Sequence, residues 1–216
     1  MNNSVPSRDN PNKKSDIITA AQKRFGQFGL KKTSMSEIAD DLAISKALLY
    51  YYFPDKEHLY KAVAEKEFEE FKAKVIEQVH HLKNPADKLK QYLHLRLIYF
   101  RSFLNLSRLR MEEMQSLNKM IGLTWQSLRT YEKEIIMDIL TMGKRQNLFH
   151  LNDPEEITDL LFDLLRGIRM AMIKDRQFYY LNDKDFNTLV QKTERFIDIF
   201  INGLMYKNEN STIKDN

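Results

Sequence analysis

The chain has 216 residues, 43% of them hydrophobic, with only 6 glycines, 5 prolines and no cysteine. A sandwich or barrel would need a turn signal about every 8 to 12 residues, so this scarcity excludes an all-β fold, and the absent thiols exclude disulfides, cysteine-ligated zinc, iron–sulfur clusters and thiol catalysis. The 34 basic and 30 acidic residues leave a formal charge of +4, spread evenly with 9 basic against 7 acidic residues over 1–60, so any argument for a polyanionic partner must come from position.

Residues 1–14 are polar, carry Pro6 and Pro11, and read as a flexible tail. From Asp16, Ile17, Ile18, Ala21, Phe25 and Phe28 recur at helical spacing, and Gly26 and Gly29 end that first helix near Phe28. Ser34-Met35-Ser36-Glu37 matches a capping box. The second helix that it starts has Met35, Ile38, Ala39 and Leu42 on one stripe, with Asp40 and Asp41 facing outward. Ala43-Ile44-Ser45 is a tight connector, and Ser45 suits the N-cap of a short helix over 46–52. Two short helices joined so tightly behind a longer one form a helix-turn-helix arrangement. Phe53-Pro54-Asp55 ends the third helix and caps a fourth over 56–81. Leu59, Ala62, Val63, Phe68, Phe71, Val75 and Val79 mark its inner side, and Asn84-Pro85 is its stop.

Five further helical segments follow at about 86–103, 106–117, 120–147, 154–176 and 185–206, which makes about nine helices in an all-α chain. Apolar faces are wide in the last two: Ile157, Leu160, Leu161, Leu164, Leu165, Ile168 and Met172 in one, Phe196, Ile197, Ile199, Phe200, Ile201 and Leu204 in the other. Such faces can meet both their own domain and a partner. The expected organisation is a tail over 1–14, a small helix-turn-helix domain over 15–60, a larger helical domain over 61–207 and a polar tail over 208–216. No run of 18 apolar residues occurs, and the first residues lack the apolar stretch of a secretory signal, so a cytoplasmic protein is expected.

Residues 29–60, GLKKTSMSEIADDLAISKALLYYYFPDKEHLY, resemble the DNA-binding domain of the TetR (tetracycline repressor) family of bacterial transcriptional regulators. The resemblance rests on Thr33-Ser34, Ile38-Ala39, Ile44-Ser45, Leu49-Tyr50, Tyr52-Phe53 and Lys56-Glu57. Ala43 departs from the family's usual glycine, and alanine implies a turn whose backbone tolerates a Cβ. At 100° per residue Leu49 and Phe53 face inward, leaving Lys46, Ala47, Leu48 and Tyr51 for DNA. Three consecutive tyrosines span about 200°, so Tyr50 stays open between packing and contact. The resemblance implies base contacts from Lys46, Ala47 and Leu48 and phosphate or edge contacts from Tyr50, Tyr51 and Tyr52. Thr33, Ser34, Ser36, Ser45 and Lys56 complete the implied DNA-contacting set, with helix dipoles assisting at Ser34, Ser36 and Lys56. Capping alone accounts equally for Ser34.

Enzyme signatures are missing: there is no glycine-rich phosphate loop and no HExxH. His80-His81 points to different helix faces and reads as solvated, as do Glu69-Glu70, Glu112-Glu113 and Glu155-Glu156. No enzymatic activity, cofactor or metal is expected. The resemblance further implies an effector pocket in the larger domain for a hydrophobic or amphipathic small molecule. Arg96, Tyr99, Phe103, Met114, Met120, Trp125, Phe162 and Arg166 are its candidate lining, and simple packing explains each of them as well. Arginines here, including Arg101, Arg108, Arg110 and Arg169, can meet an anionic ligand or a neighbouring glutamate. Gly167, Ala171, Phe196, Phe200 and Leu204 are the candidate homodimer interface. Together these imply a ligand-responsive repressor that binds a pseudo-palindromic operator as a homodimer. The competing reading is a helical protein-interaction module without sequence-specific DNA binding.

Overall fold

The computed structural model describes residues 11–107, 119, 121–173 and 182–205, and every regular element among them is an α-helix. In chain order these are α1 (Pro11–Phe28), α2 (Met35–Asp41), α3 (Lys46–Tyr52), α4 (Lys56–Val79), α5 (Pro85–Ser107), α6 (Gly122–Arg145), α7 (Pro154–Ile173) and α8 (Asp183–Met205). Most of the segment expected at 106–117 lies outside the described residues, as do Arg108, Arg110, Met111, Met114, Met120 and the side chains of Phe103, Arg169 and Met172. No helix among the described residues is long and apolar enough to cross a membrane.

Two boundaries differ from the sequence reading for the same reason. Pro11 opens α1 five residues before Asp16, and Pro85 opens α5. A proline breaks a helix from inside but suits its first turn, where the missing N–H has no partner to lose. Asn84 therefore caps α5, its Oδ1 accepting the Ala86 N–H at 2.8 Å. The end of α4 is finished instead by Lys88, whose Nζ donates to the Val79 and His80 carbonyls at 2.9 and 3.0 Å.

The chain forms two compact units. The first comprises residues 11–69 with the described part of 102–124. Its core holds Ile17, Ala21 and Phe25 of α1, Ile38 and Ala39 of α2, Leu49 of α3, and Leu59, Tyr60 and Val63 of α4, all fully buried. Phe25 and Tyr60 meet edge to face at 5.4 Å, a geometry the ring quadrupoles favour. A polar strip borders that core: Glu67, 7% exposed, accepts from Gln22 Nε2 at 2.6 Å and from Ser102 Oγ at 3.1 Å. Lys66 reaches Thr19 and Gln22 at 2.9 and 2.8 Å.

The second unit comprises 70–101 and the described residues from 125 onward. Aromatic packing dominates it: Phe71 stacks on Tyr99 at 4.8 Å and lies 6.2 Å from Tyr92 and 6.3 Å from Tyr131. α7 packs on α8. α6 ends where Asn147 takes a φ of 55° and the Leu148 and Phe149 amides turn back to the Gly143 carbonyl at 2.9 and 3.1 Å. That reversal lays the buried Phe149 ring on Gly143 so closely that a Cβ there would stand 2.0 Å from Phe149 Cδ2. A methyl group at this position must displace a ring held in the core. Gly143→Ala should therefore destabilise the protein by about 1–3 kcal/mol, seen as a lowered urea midpoint with unchanged slope. An unaltered midpoint would show that the ring can move aside.

Candidate nucleic-acid interface

The reading head is built from caps. Ser34 Oγ accepts the Glu37 N–H at 3.3 Å while the Ser34 N–H donates to Glu37 Oε2 at 2.8 Å, a complete capping box that starts α2. The Ser34 hydroxyl also donates to Glu37 Oε2 at 2.9 Å. Ser45 Oγ accepts the Leu48 N–H at 3.1 Å and starts α3. Asp55 accepts the His58 N–H at 2.8 Å and starts α4. Arg24 fastens α1 to α2 by a fork on Asp41, with Nε at 2.7 Å and Nη2 at 3.3 Å, while Nη1 lies 3.3 Å from Glu37.

Inside this frame α3 turns Leu49 and the following Phe53 inward, leaving them 0% and 4% exposed. Lys46, Ala47, Leu48, Tyr50 and Tyr51 face out, and Tyr52 is half-buried with its ring edge on Tyr51 at 5.3 Å. Tyr50 is thus on the surface, 49% exposed. Lys46 is the one charged residue of α3.

Three members of the expected contact set have their polar groups occupied from within. Thr33 is 1% exposed and its hydroxyl donates to the Gly29 carbonyl at 2.9 Å. Ser34 is committed to its capping box. Lys56 Nζ donates to the Leu30 and Thr33 carbonyls, each at 2.9 Å, and burial pushes its ammonium below the ordinary lysine value, with Glu37 opposing. It holds the loop ahead of α2. Ser36 is half-buried and Ser45 exposed. Nothing in the sequence flags Lys56 as a loop clamp, because its two acceptors lie 23 and 26 residues away.

The connector differs in backbone from the sequence reading. Ala43 sits at φ 50°, in the left-handed region, so its Cβ is strained rather than accommodated. Arg96 and Arg166 are also both paired: Arg96 with the buried Glu132 and Arg166 with Asp163 at 3.0 Å. Arg96 lies over the faces of Phe100 and Phe162 at 4.5 and 5.6 Å, and the Tyr92 hydroxyl donates to Glu132 at 3.3 Å. Burial, then the Glu132 charge, pushes the Tyr92 phenol well above its ordinary value. Tyr99 is buried, and half-buried Trp125 stacks on Phe100 at 6.3 Å. Of the candidate dimer residues, Gly167 and Ala171 are exposed, Phe196 and Phe200 half-buried, and Leu204 is buried within the chain. His80 and His81 are exposed.

Two predictions come from this geometry. Relief of the left-handed strain at Ala43 exceeds the extra backbone freedom glycine brings to the unfolded chain, so Ala43→Gly should stabilise by about 0.5–1 kcal/mol, measured by chemical denaturation. Backbone donation from Ser34 holds the Glu37 carboxyl below its ordinary value. Its stabilisation is therefore present above the unfolded-state pKa and lost as pH falls through the folded one. The stability gap between the parent and Glu37→Gln should be largest near neutrality and close below about pH 4; a pH-independent gap would refute this.

Comparison with known proteins locates this head in a family. Residues 17–63 match the family model described as bacterial regulatory proteins, tetR family. The HTH-type transcriptional regulator RutR of Escherichia coli K12 is 36% identical over 102 residues, which is 47% of this chain and 48% of RutR. The chain thus spans about half the length of the curated relatives it matches. A transcriptional regulator from Cytophaga hutchinsonii superposes with a TM-score of 0.80 at 34% identity, over 88% of this chain and 97% of that one. A TetR-family protein of known structure from Mesorhizobium loti shares the fold, with a TM-score of 0.68 at 22% identity over 89% and 96% of the two chains. With the reading head matched by the family model and the larger helical part aligned with the Cytophaga regulator, the chain belongs to the TetR family of bacterial transcriptional regulators.

Proposed function

We propose that this protein is a ligand-responsive transcriptional repressor that binds a pseudo-palindromic operator as a homodimer in the cytoplasm, without enzymatic activity or a cofactor. The observation that carries this reading is the exposed face of α3, where Lys46, Ala47, Leu48, Tyr50 and Tyr51 stand out from a helix anchored by buried Leu49 and Phe53. A short rigid helix is what the major groove admits. Lys46 is suited to guanine O6 and N7, Ala47 and Leu48 to a thymine methyl, and the tyrosine hydroxyls to phosphates. Ser36 and Ser45 remain as flanking phosphate contacts, whereas Lys56 and Thr33 act by fixing the loop.

Two copies are needed to span two half-sites. Leu160, Leu164, Gly167 and Ala171 are exposed on α7, and Ile199 is 65% exposed on α8 beside half-buried Phe196 and Phe200. These residues form an apolar stripe on two helices that pack together, and a second copy is its natural cover. The effector reading rests on the aromatic cluster. Glu132 already neutralises Arg96, so a hydrophobic or amphipathic molecule enters against Tyr99, Phe100, Trp125 and Phe162 more readily than an anion. α4 is continuous from the first unit into the second, which makes it the element through which occupancy would change the spacing of the two α3 helices.

The exposed Leu48, Tyr50 and Tyr51 also fit a second reading, a protein-docking face without sequence-specific DNA binding. A gel shift against the DNA flanking the protein's own gene separates the two. The repressor reading expects sequence-selective, salt-sensitive binding by a dimer, and selection from random duplexes should return a palindrome. Lys46→Ala should weaken the preferred site by about 1–3 kcal/mol while changing random-sequence binding little. Binding indifferent to sequence would overturn the repressor reading and support the docking face.

A further inference from the structure

Glu67 stands where the helical period of α4 calls for an apolar residue. Val63, four residues before it, and Phe71, four after, are 0% and 3% exposed, and Glu67 between them is 7% exposed. Glu132, the other buried glutamate among the described residues, is met by Arg96, whereas the described partners of Glu67 are an amide and a hydroxyl. A leucine would fill this row without the desolvation that a carboxylate costs. What the carboxylate adds is geometry.

Its two oxygens are committed to different helices. Oε1 accepts from Gln22 Nε2 of α1 at 2.6 Å, and Oε2 accepts from Ser102 Oγ of α5 at 3.1 Å. The Gln22 amide is held at both ends, because its Oε1 accepts from Lys66 Nζ at 2.8 Å while the same ammonium donates to Thr19 Oγ1 at 2.9 Å. A cation on the amide oxygen and an anion on its nitrogen polarise that amide in one direction, so the bonds reinforce one another. α1 is thus gripped tightly. α5 is held by one longer bond from a half-buried serine. On the same two helices, a turn away, Phe71 stacks on Tyr99 at 4.8 Å. Tyr99 precedes Ser102 by three residues and Phe100 precedes it by two.

We propose that Glu67 is a positioning residue that couples α5 to α1. A molecule lodged against Tyr99 and Phe100 displaces α5, and Ser102 shifts with it. The carboxylate passes that displacement to Gln22, and so to the helix that supplies Ile17, Ala21 and Phe25 to the core of the first unit. The continuous shaft of α4 is then one route to the reading head and this side-chain link is another. The ligand step rests on the effector reading given above, whereas the link between α5 and α1 is a property of the chain alone.

Hydrogen exchange on the whole protein without DNA tests the link by itself. Ser102→Ala should speed exchange of the α1 amides around Gln22 by about fivefold or more. Glu67→Leu should do the same while its thermal midpoint holds or rises, because leucine completes the row between Val63 and Phe71. Glu67→Gln should keep α1 protected, since its amide oxygen still accepts from Gln22 and its NH2 group can donate to the Ser102 hydroxyl. Glu77→Gln, an exposed acid of α4, should change nothing. The second arm uses a duplex selected from random sequences. Trp125 stacks on Phe100 of α5 at 6.3 Å, and coupling between sites is reciprocal, so binding of that duplex should alter Trp125 emission. Ser102→Ala and Glu67→Leu should abolish the change and Glu67→Gln should retain it. Failure to select any duplex would remove the operator reading and leave exchange to decide the link. The proposal is overturned by α1 exchange that Ser102→Ala leaves unmoved, or by Trp125 emission that a bound duplex does not alter. It is overturned equally by a Glu67→Leu midpoint that falls in step with faster exchange throughout the first unit, which would make Glu67 a stability residue only.

Discussion

The ammonium of Lys56 fixes the geometry of the whole reading head. It exchanges water for two backbone carbonyls, those of Leu30 and Thr33, in the loop that delivers the chain from α1 to α2. Those carbonyls belong to a stretch too short for a secondary-structure ladder, and buried backbone acceptors must be satisfied somehow. With the loop pinned from the start of α4, the capping box at Ser34 begins at a fixed place. α2 then has one position, and the short connector over 42–45 places α3. Desolvation weakens the lysine's hold on its proton, yet two charge-assisted bonds offset that penalty.

Caps and inward faces were legible in the sequence because they are local. Ser34 with Glu37, Ser45 with Leu48, Asp55 with His58, and the opposition of Leu49 to Tyr51 each involve residues no more than three apart, inside the reach of helical periodicity. The role of Lys56 was not legible, since its partners are distant in sequence and a surface lysine looks the same whether it meets a phosphate or a carbonyl. Thr33 misled for the converse reason: it belongs to the family's pattern at a helix start, and only burial reveals that its hydroxyl points back to Gly29. At Ala43 composition implied a relaxed turn, but the demands of α2 and α3 on either side override the residue's own preference and hold φ at 50°. Leu204 belongs to a face wide enough to serve two surfaces, and the sequence alone could not divide that face between them.

In the second unit the charged and aromatic side chains share one task. A buried glutamate without partners would be untenable, so Glu132 is met by Arg96 and by the Tyr92 hydroxyl. The guanidinium is in turn spread over Phe100 and Phe162, faces that favour a cation. Each member justifies the burial of the next, which makes the group sensitive to geometry and resistant to piecemeal change. A similar division of labour appears at the far end of α5, where Arg101 pairs with Asp183 and lies over Phe186 at 4.5 Å. Arg96 and Arg101, read from sequence as possible ligand contacts, are here the cement between α5, α6 and α8.

The contact between Gly143 and Phe149 also constrains how this chain can vary. Because the ring occupies the space of the absent Cβ, the two positions do not drift separately. A larger residue at 143 becomes tolerable only after 149 has shrunk, whereas a smaller residue at 149 opens a void until 143 fills it. Each order of events passes through a less stable intermediate, so the pair is an epistatic lock. Among relatives that keep this turn, glycine at 143 should travel with an aromatic residue at 149, and departures from that pairing should come in twos.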